Sequence, residues 1–264
     1  MSLIGKKPSN TFKDLLYCSN SNSGLTSTPN NILSGNGNAS SVYLSTDKLK
    51  IQPTTDSTQN TVIYDANGNA IFTVDSSNDA IKAGINQNHI TTQYAHFGII
   101  AYDATQFTAN THFAIPFGGV NGGLNYINDV DFGTGTDPDD SFTTANTDSQ
   151  YAGQIVPMIW IIPDAIVIDS VNHIEGAIQA SGDTTRMHLK SYDFTSDSTS
   201  ALTNGTLLAS NADITNDGRE QIYSGSWTVS SSSVPAGKAI LCFFRSDSVN
   251  SDYSISVTIK YHLA

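Results

Sequence analysis

Residues 254–263, Ser-Ile-Ser-Val-Thr-Ile-Lys-Tyr-His-Leu, alternate polar and apolar side chains almost without fault. A period of two puts every second side chain on the same face of an extended chain, so this stretch reads as a β-strand with one face on a core. Runs of strand length recur upstream at 97–102, 111–117, 155–162, 165–171, 174–180, 185–192, 221–229 and 238–245, separated by Gly, Asn, Asp and Ser. So many short strands with turn residues between them predict an antiparallel β-sandwich, jelly-roll-like, over residues 97–264.

Composition extends the all-β reading to the rest of the chain. Only 14% of residues are charged, and polarity comes from Ser, Thr, Asn, Asp and Gly instead of the Glu, Lys and Arg that favour helices. Residues 1–60 hold only short apolar pieces between polar stretches such as Ser19–Gly24 and Ser34–Ser41. Such pieces cannot close a private core, so the segment becomes ordered only by packing on something else. Residues 61–96 read as short strands and tight turns, with a hairpin over 62–74 in which Asn67-Gly68 supplies the positive-φ residues of the turn. Their unpaired edges invite pairing among identical chains.

The formal net charge of −12 disfavours nucleic acid as a partner. Lys6-Lys7 and Lys48/Lys50 are the nearest approach to a basic cluster. No window approaches 18 continuous apolar residues, and the longest run, 155–162, is broken by Pro157 and closed by Pro163. A chain soluble when made, without membrane insertion, is expected. The only two cysteines, Cys18 and Cys242, are too few for a disulfide framework and read as small hydrophobes.

Catalytic chemistry finds little purchase. Glycoside cleavage needs two carboxylates across the scissile bond, but Glu175 and Glu220 are the only glutamates, and the aspartates fall in turn-like clusters such as 137–140. His89, His96, His112, His173, His188 and His262 show no metal-ligand spacing. Asp129, Asp131, Asp137, Asp139 and Asp140 offer oxygen ligands for calcium, though not in an EF-hand pattern. Gly118–Gly123 lacks the Lys-Ser/Thr of a phosphate loop. A non-enzymatic protein with no cofactor and no required metal is the expectation. Tyr126 with Asn125, Asn128 and Asp129, and Phe142, Tyr151, Tyr192 and Asp193, have the aromatic and polar character of sugar-binding loops, but such residues are more often ordinary core or rim residues, and no site is named from them.

The segment from Thr11 to Leu25, containing Phe-Lys-Asp-Leu-Leu-Tyr and Asn-Ser-Asn-Ser-Gly, and the later Asn36–Thr46 resemble the N-terminal region of fibre and appendage proteins of tailed bacteriophages. Asp65–Asp79 is similar to the shaft phrase of that family, in which an Asp…Gly-Asn hairpin leads into a Phe-x-Val-Asp strand. The resemblance covers roughly residues 10–98 and departs at 82–86, where many shaft repeats carry a Gly-Ile-Gly-Thr turn. It implies a homotrimer in the virion, attached to other virion structural proteins at its N-terminal end, with Phe12, Leu15, Leu16 and Tyr17 as docking residues. It further implies a C-terminal domain displayed outward, toward a host surface glycan or protein. A purely architectural capsid or neck decoration and a glycan-degrading tailspike are the alternative roles.

Overall fold

The structure, a computed structural model, describes residues 16–20, 23–84, 86–101, 108–118, 130–144, 151–178, 181–248 and 252–264. The chain is nearly all β, with several antiparallel sheets. It divides into two compact units, Met1–Ile90 and Thr91–Ala264.

The first unit holds two four-stranded meanders. One runs β1 (Leu16–Cys18), β2 (Asn30–Ser34), β3 (Ala39–Leu44) and β4 (Leu49–Ile51); the other runs β5 (Thr61–Tyr64), β6 (Ala70–Asp75), β7 (Ala80–Ala83) and β8 (Asn88–His89). The hairpin read from the sequence is β5–β6. Its turn differs in detail from the two-residue form. The Gly68 N–H donates to Asp65 O (3.1 Å), the Asp65 N–H to Asn69 O (2.9 Å), and Gly68 alone among the turn residues has positive φ, +83°. That is a three-residue turn closed by a bulge. The Asp65 carboxylate accepts from Asn69 Nδ2 at 2.9 Å and from the N–H groups of Asn69 and Asn67, both at 2.8 Å, and these bonds, the Asn69 side chain first, hold its carboxyl below the usual range.

The second unit runs β9 (Gln93–Ala101), β10 (Phe113–Ile115), helix α1 (Tyr151–Ile155), β11 (Trp160–Ile161), β12 (Ile166–Ile178), β13 (Thr184–Phe194), β14 (Leu202–Ser210), β15 (Ile214–Thr215), β16 (Gln221–Ser226), β17 (Thr228–Val229), β18 (Ser233–Val234), β19 (Lys238–Ser246) and β20 (Asp252–Leu263). Eight of these strands pair in a nested order, first with last. β9 lies beside β20, β10 beside β19, β12 beside β16 and β13 beside β14. Pairing of β20 with β12 and of β19 with β13 then joins them into two sheets, β16-β12-β20-β9 and β10-β19-β13-β14-β17.

The main core lies between the sheets. Ile166, Ile168, Val171, Ile255, Val257 and Ile259 come from one side, and Met187, Leu189, Leu208, Ile240, Cys242 and Phe244 from the other. The register shift between Ile168 and Ser170 resets the alternation, so that Ile168 and Val171 both face inward. A second core lies on the outer face of the β19-containing sheet. There Ala239, Leu241, Phe243, Tyr192 and Leu202 pack under Val130, Phe132, Phe142, Ile155 and Met158. β19 is therefore covered on both faces, which explains why 239–244 is continuously apolar instead of alternating.

Four strand expectations change, the run 111–117 first, since only β10 at Phe113–Ile115 is strand. The apolar run at 155–162 is not one strand: it ends α1, passes through a 3-10 turn at Val156–Met158 and leaves only Trp160–Ile161 paired as a strand. Pro157 has its φ fixed and no N–H for a ladder, and it sits at the start of the 3-10 turn. In the described residues the runs 165–171 and 174–180 fall on one strand, β12, Ile166–Ile178. The run 221–229 is two strands in different sheets, β16 on β12 and β17 on β14.

Candidate functional site

Of the four residues expected to dock the chain, Phe12 and Leu15 lie outside the described residues. Leu16 and Tyr17 stand on β1 opposite Ser34 and Leu33; Leu16 is 66% exposed and Tyr17 half-buried. They belong to a wider pattern. Among the described residues of the first unit, Ala80 is the only hydrophobic residue that is buried, while Leu16, Leu25, Leu49, Ile51, Ile63, Tyr64, Ile71, Ile81 and Ile90 are all exposed.

The β5–β8 sheet orders this surface. Ile63 is opposite Phe72, Phe72 opposite Ala83, and Val74 opposite Ile81. Directly paired residues share a face, as do residues two apart on a strand. One face therefore carries Ile63, Phe72, Val74, Ile81 and Ala83 with no charge among them. The other carries Thr73, Asp75 and Lys82, tied by the Lys82–Asp75 ion pair (2.9 Å) and the Thr73–Gln87 hydrogen bond (2.7 Å). Thr73 and Asp75 are buried while Ile63 and Ile81 are open. This inverts the usual arrangement of a sheet on its own core, and the open apolar face needs a covering layer.

In the second unit the acidic loop 137–140 is a tether. Lys190, buried on β13, donates to Asp140 Oδ1 (2.6 Å) and to Pro138 O. Tyr192 Oη donates to Asp139 O (2.8 Å), and the Gly205 N–H to Asp140 O (2.8 Å). Among the described residues no group of three or more His, Cys, Asp or Glu side chains comes together to hold a metal ion; Asp129 lies outside them. His112 and His188 do meet, edge to face at 4.9 Å and fully buried. His112 Nε2 reaches Gly135 O (3.0 Å). Asp137 Oδ1 is 3.4 Å from His188 Nε2, outside hydrogen-bond geometry. Burial first, then the positive charges around it, push His188 down to about 3.

The other residues singled out from the sequence disperse. Phe142 and Tyr192 are core residues, and Asp193 pairs with Lys238 at 2.5 Å. Tyr126, Asn125, Asn128, Gly119–Gly123 and the side chain of Tyr151 lie outside the described residues. Glu175 is sealed between the sheets and Glu220 is exposed. His173 Nδ1 accepts from Trp227 Nε1 (2.9 Å), His262 Nδ1 lies 3.0 Å from Asp169, and His96 Nδ1 3.2 Å from Thr258 Oγ1. Cys242 is fully buried and Cys18 half-buried, neither in a disulfide; burial pushes the Cys242 thiol far up.

Sequence reading missed two groupings. Trp160 stacks on Phe117 (5.6 Å) and meets Tyr261 (5.1 Å), whose Oη donates to Gln93 Oε1 (2.9 Å). With Ile162, Pro163, Asp164, Ile166 and Leu263, three of them line a cavity of about 150 Å³. Arg186 and Arg245 come together at the ends of their strands. In sequence Trp160, Tyr261, Arg186 and Arg245 each read as one more position in a strand, and only the register joins them.

No family model matches the chain, and no curated protein matches it. Among solved structures, an aminopeptidase from the marine sediment archaeon Thaumarchaeota archaeon aligns at 7% identity and a TM-score of 0.33 over 73% of this chain, which spans 40% of that protein's length. The structure of Eiger TNF from S. frugiperda aligns at 10% identity and a TM-score of 0.27, covering 66% of this chain and 94% of that one. Likenesses of that size carry no argument about fold or activity.

Proposed function

We propose that this chain is a non-enzymatic structural subunit of a tailed-bacteriophage particle. In this reading it is a homotrimeric tail fibre or appendage, fixed to other virion proteins by its N-terminal end and presenting a jelly-roll domain to the host surface. The observation that carries the reading is the first unit, whose described residues form two open sheets with one buried hydrophobic residue, Ala80, and nine large hydrophobic residues exposed on the sheets and their loops. A sheet needs a second layer on its apolar face, and copies of the same chain, with virion proteins at the N-terminal end, supply it. The chain's net charge of −12 makes copies repel, but the Ile63–Ile81 face carries no charge and lets them approach.

The nested pairing of eight strands supports the jelly-roll assignment, since a long antiparallel hairpin rolled into two sheets pairs its strands in that order. Two of the carboxylates hold other places: Glu175 is sealed in the core, and Asp140 ties the 137–140 loop to Lys190. The resemblance of residues 10–98 to fibre proteins supplies the virion context.

The test is incorporation into particles. An antibody against residues 91–264 is expected to label a tail or collar appendage, and a chain beginning at Thr91 is expected to be absent from particles. Incorporation of the shortened chain at the normal level would overturn the docking assignment.

A further inference from the structure

Arg186 on β13 and Arg245 on β19 are direct cross-strand partners, and they are two of only three arginines in the chain. Like charges placed directly opposite on neighbouring strands repel and destabilise the pair. A chain with so few guanidiniums that puts two of them together invites a reason beyond folding.

Their surroundings supply one ion pair and otherwise neutral hydrogen-bond partners. Arg245 donates from Nε and Nη2 to the backbone O and side-chain Oδ1 of Asn110, at 3.1 and 2.9 Å, both neutral acceptors. Asp213 comes only within 3.5 Å of Arg186 Nη1 and is itself 57% exposed. Arg186 Nε is buried with no partner among the described residues. The other carboxylate, Asp247, accepts from the N–H and Oγ1 of Thr184, at 2.6 and 2.8 Å, and keeps its negative charge at the wall of the same cavity. Asn110, Thr184, Arg186, Asp213, Arg245 and Asp247 line one open cavity of about 120 Å³.

The cavity lies where β13 begins and β19 ends, with Asn110 and Asp213 contributed by loops, so its mouth is at a loop-bearing end of the sandwich. Its volume exceeds that of a single water, roughly 30 Å³, and falls below the roughly 300–1,000 Å³ of pockets that enclose a whole small molecule. It suits one charged group of a larger ligand whose remainder stays outside. Farther along the same face of β13, His188 and then Lys190 continue the line of basic side chains.

We infer that the pocket between Arg186 and Arg245 binds an oxyanion carried by a surface polymer, the carboxylate of an acidic sugar or a phosphate. Planar guanidinium forks match the paired oxygens of both groups, and bound anion relieves the repulsion between the two arginines. Asp213 stands at the rim to accept from a neighbouring hydroxyl. The polymer as biological ligand rests on the host-surface reading above; capture of a small oxyanion does not.

The experiment is calorimetric titration of the full-length protein with methyl glucuronide, inorganic phosphate and methyl glucoside at low ionic strength. Binding of either anion, weakened by added salt, with none of the neutral glucoside, is expected. Arg186→Gln and Arg245→Gln should each weaken it about tenfold or more. Arg219→Gln, which alters the exposed Arg219–Asp217 pair elsewhere, should leave it unchanged. Melting temperatures of the unliganded variants report folding separately, and Arg186→Gln is expected to melt no lower than the parent. Glucuronide binding alone identifies an acidic sugar and phosphate binding alone a phosphorylated polymer, and either supports the site. Absence of both, equal binding of the glucoside, or full affinity in both arginine variants overturns it. Anion binding together with failure to adhere to host cells leaves the site standing and removes host attachment.

Discussion

Thr185 Oγ1 on β13 lies 3.0 Å from both carboxyl oxygens of Glu175 on β12, a polar contact that crosses the buried interior between the two sheets. Burial disfavours the charged form and raises the Glu175 carboxyl to about 7, against a smaller downward pull from the Thr185 hydroxyl. Its partners across the strands are Tyr223 and Ile255, and no cation stands among these contacts to hold a carboxylate.

The sign of the pH dependence follows. The folded protein binds the Glu175 proton more tightly than the unfolded chain, so this group stabilises the fold relative to its ionised state below about pH 4.5. That contribution is lost as pH rises to about 7. One pKa unit corresponds to about 1.4 kcal/mol, so the change across the window is on the order of 3 kcal/mol. Glu175→Gln is expected to be more stable than the parent at pH 8 and to lose that advantage at pH 4.5, measured by urea unfolding at both pH values. A constant difference between the two proteins would contradict the account.

His188 acts in the opposite direction. Its folded pKa lies well below that of a free imidazole, so its contribution is complete above about pH 6.5 and is lost as pH falls toward 3. His188→Phe keeps a ring beside His112 and removes the titration. A flatter acid limb of stability is expected, read from unfolding midpoints between pH 7 and pH 4. Because Glu175 and His188 oppose each other over part of this range, differences between single variants resolve them better than the parent's own profile.

Gly205 sits where β14 passes under the acidic loop. A Cβ there would lie 2.8 Å from Asp140 Cα, 2.8 Å from Tyr192 Cε1 and 2.9 Å from Lys190 Cε. Gly205→Ala is therefore expected to displace the tether and cost about 1–3 kcal/mol, measured by chemical denaturation. An unchanged midpoint would show that the loop moves aside freely.

That same glycine explains a strand the sequence concealed. β14 reads Leu-Thr-Asn-Gly-Thr-Leu-Leu-Ala-Ser, and Asn204-Gly205 looks like a hairpin turn. In the structure Asn204 has φ +52° within a strand whose pairing to β13 shifts register twice. The strong alternation of β20 and the apolar run of β19 were legible because each follows from which faces are covered. The division of 221–229 between two sheets was not, since both pieces have the same local pattern and long-range pairing alone separates them. The Arg186–Arg245 pairing was equally hidden, because it depends on the register of strands some fifty residues apart.

The apolar face of β5–β8 gives a surface prediction. Ile63→Lys with Ile81→Lys places like charges on the contact that copies are proposed to share, at positions already open to solvent in the single chain. The double variant is expected to sediment as a smaller species than the parent while retaining a β-rich circular dichroism spectrum. An unchanged sedimentation coefficient would remove this face from the assembly.

The central claim is that residues before 91 complete their packing only between copies, whereas residues 91–264 close their own cores. Its most direct test is the solution mass of the full chain beside that of a chain beginning at Thr91, by light scattering. Three copies at 28.1 kDa each predict roughly 84 kDa for the full chain, and the shortened chain is predicted to remain folded with a cooperative melt. A full-length species of about 28 kDa that also unfolds cooperatively as a whole would contradict the account.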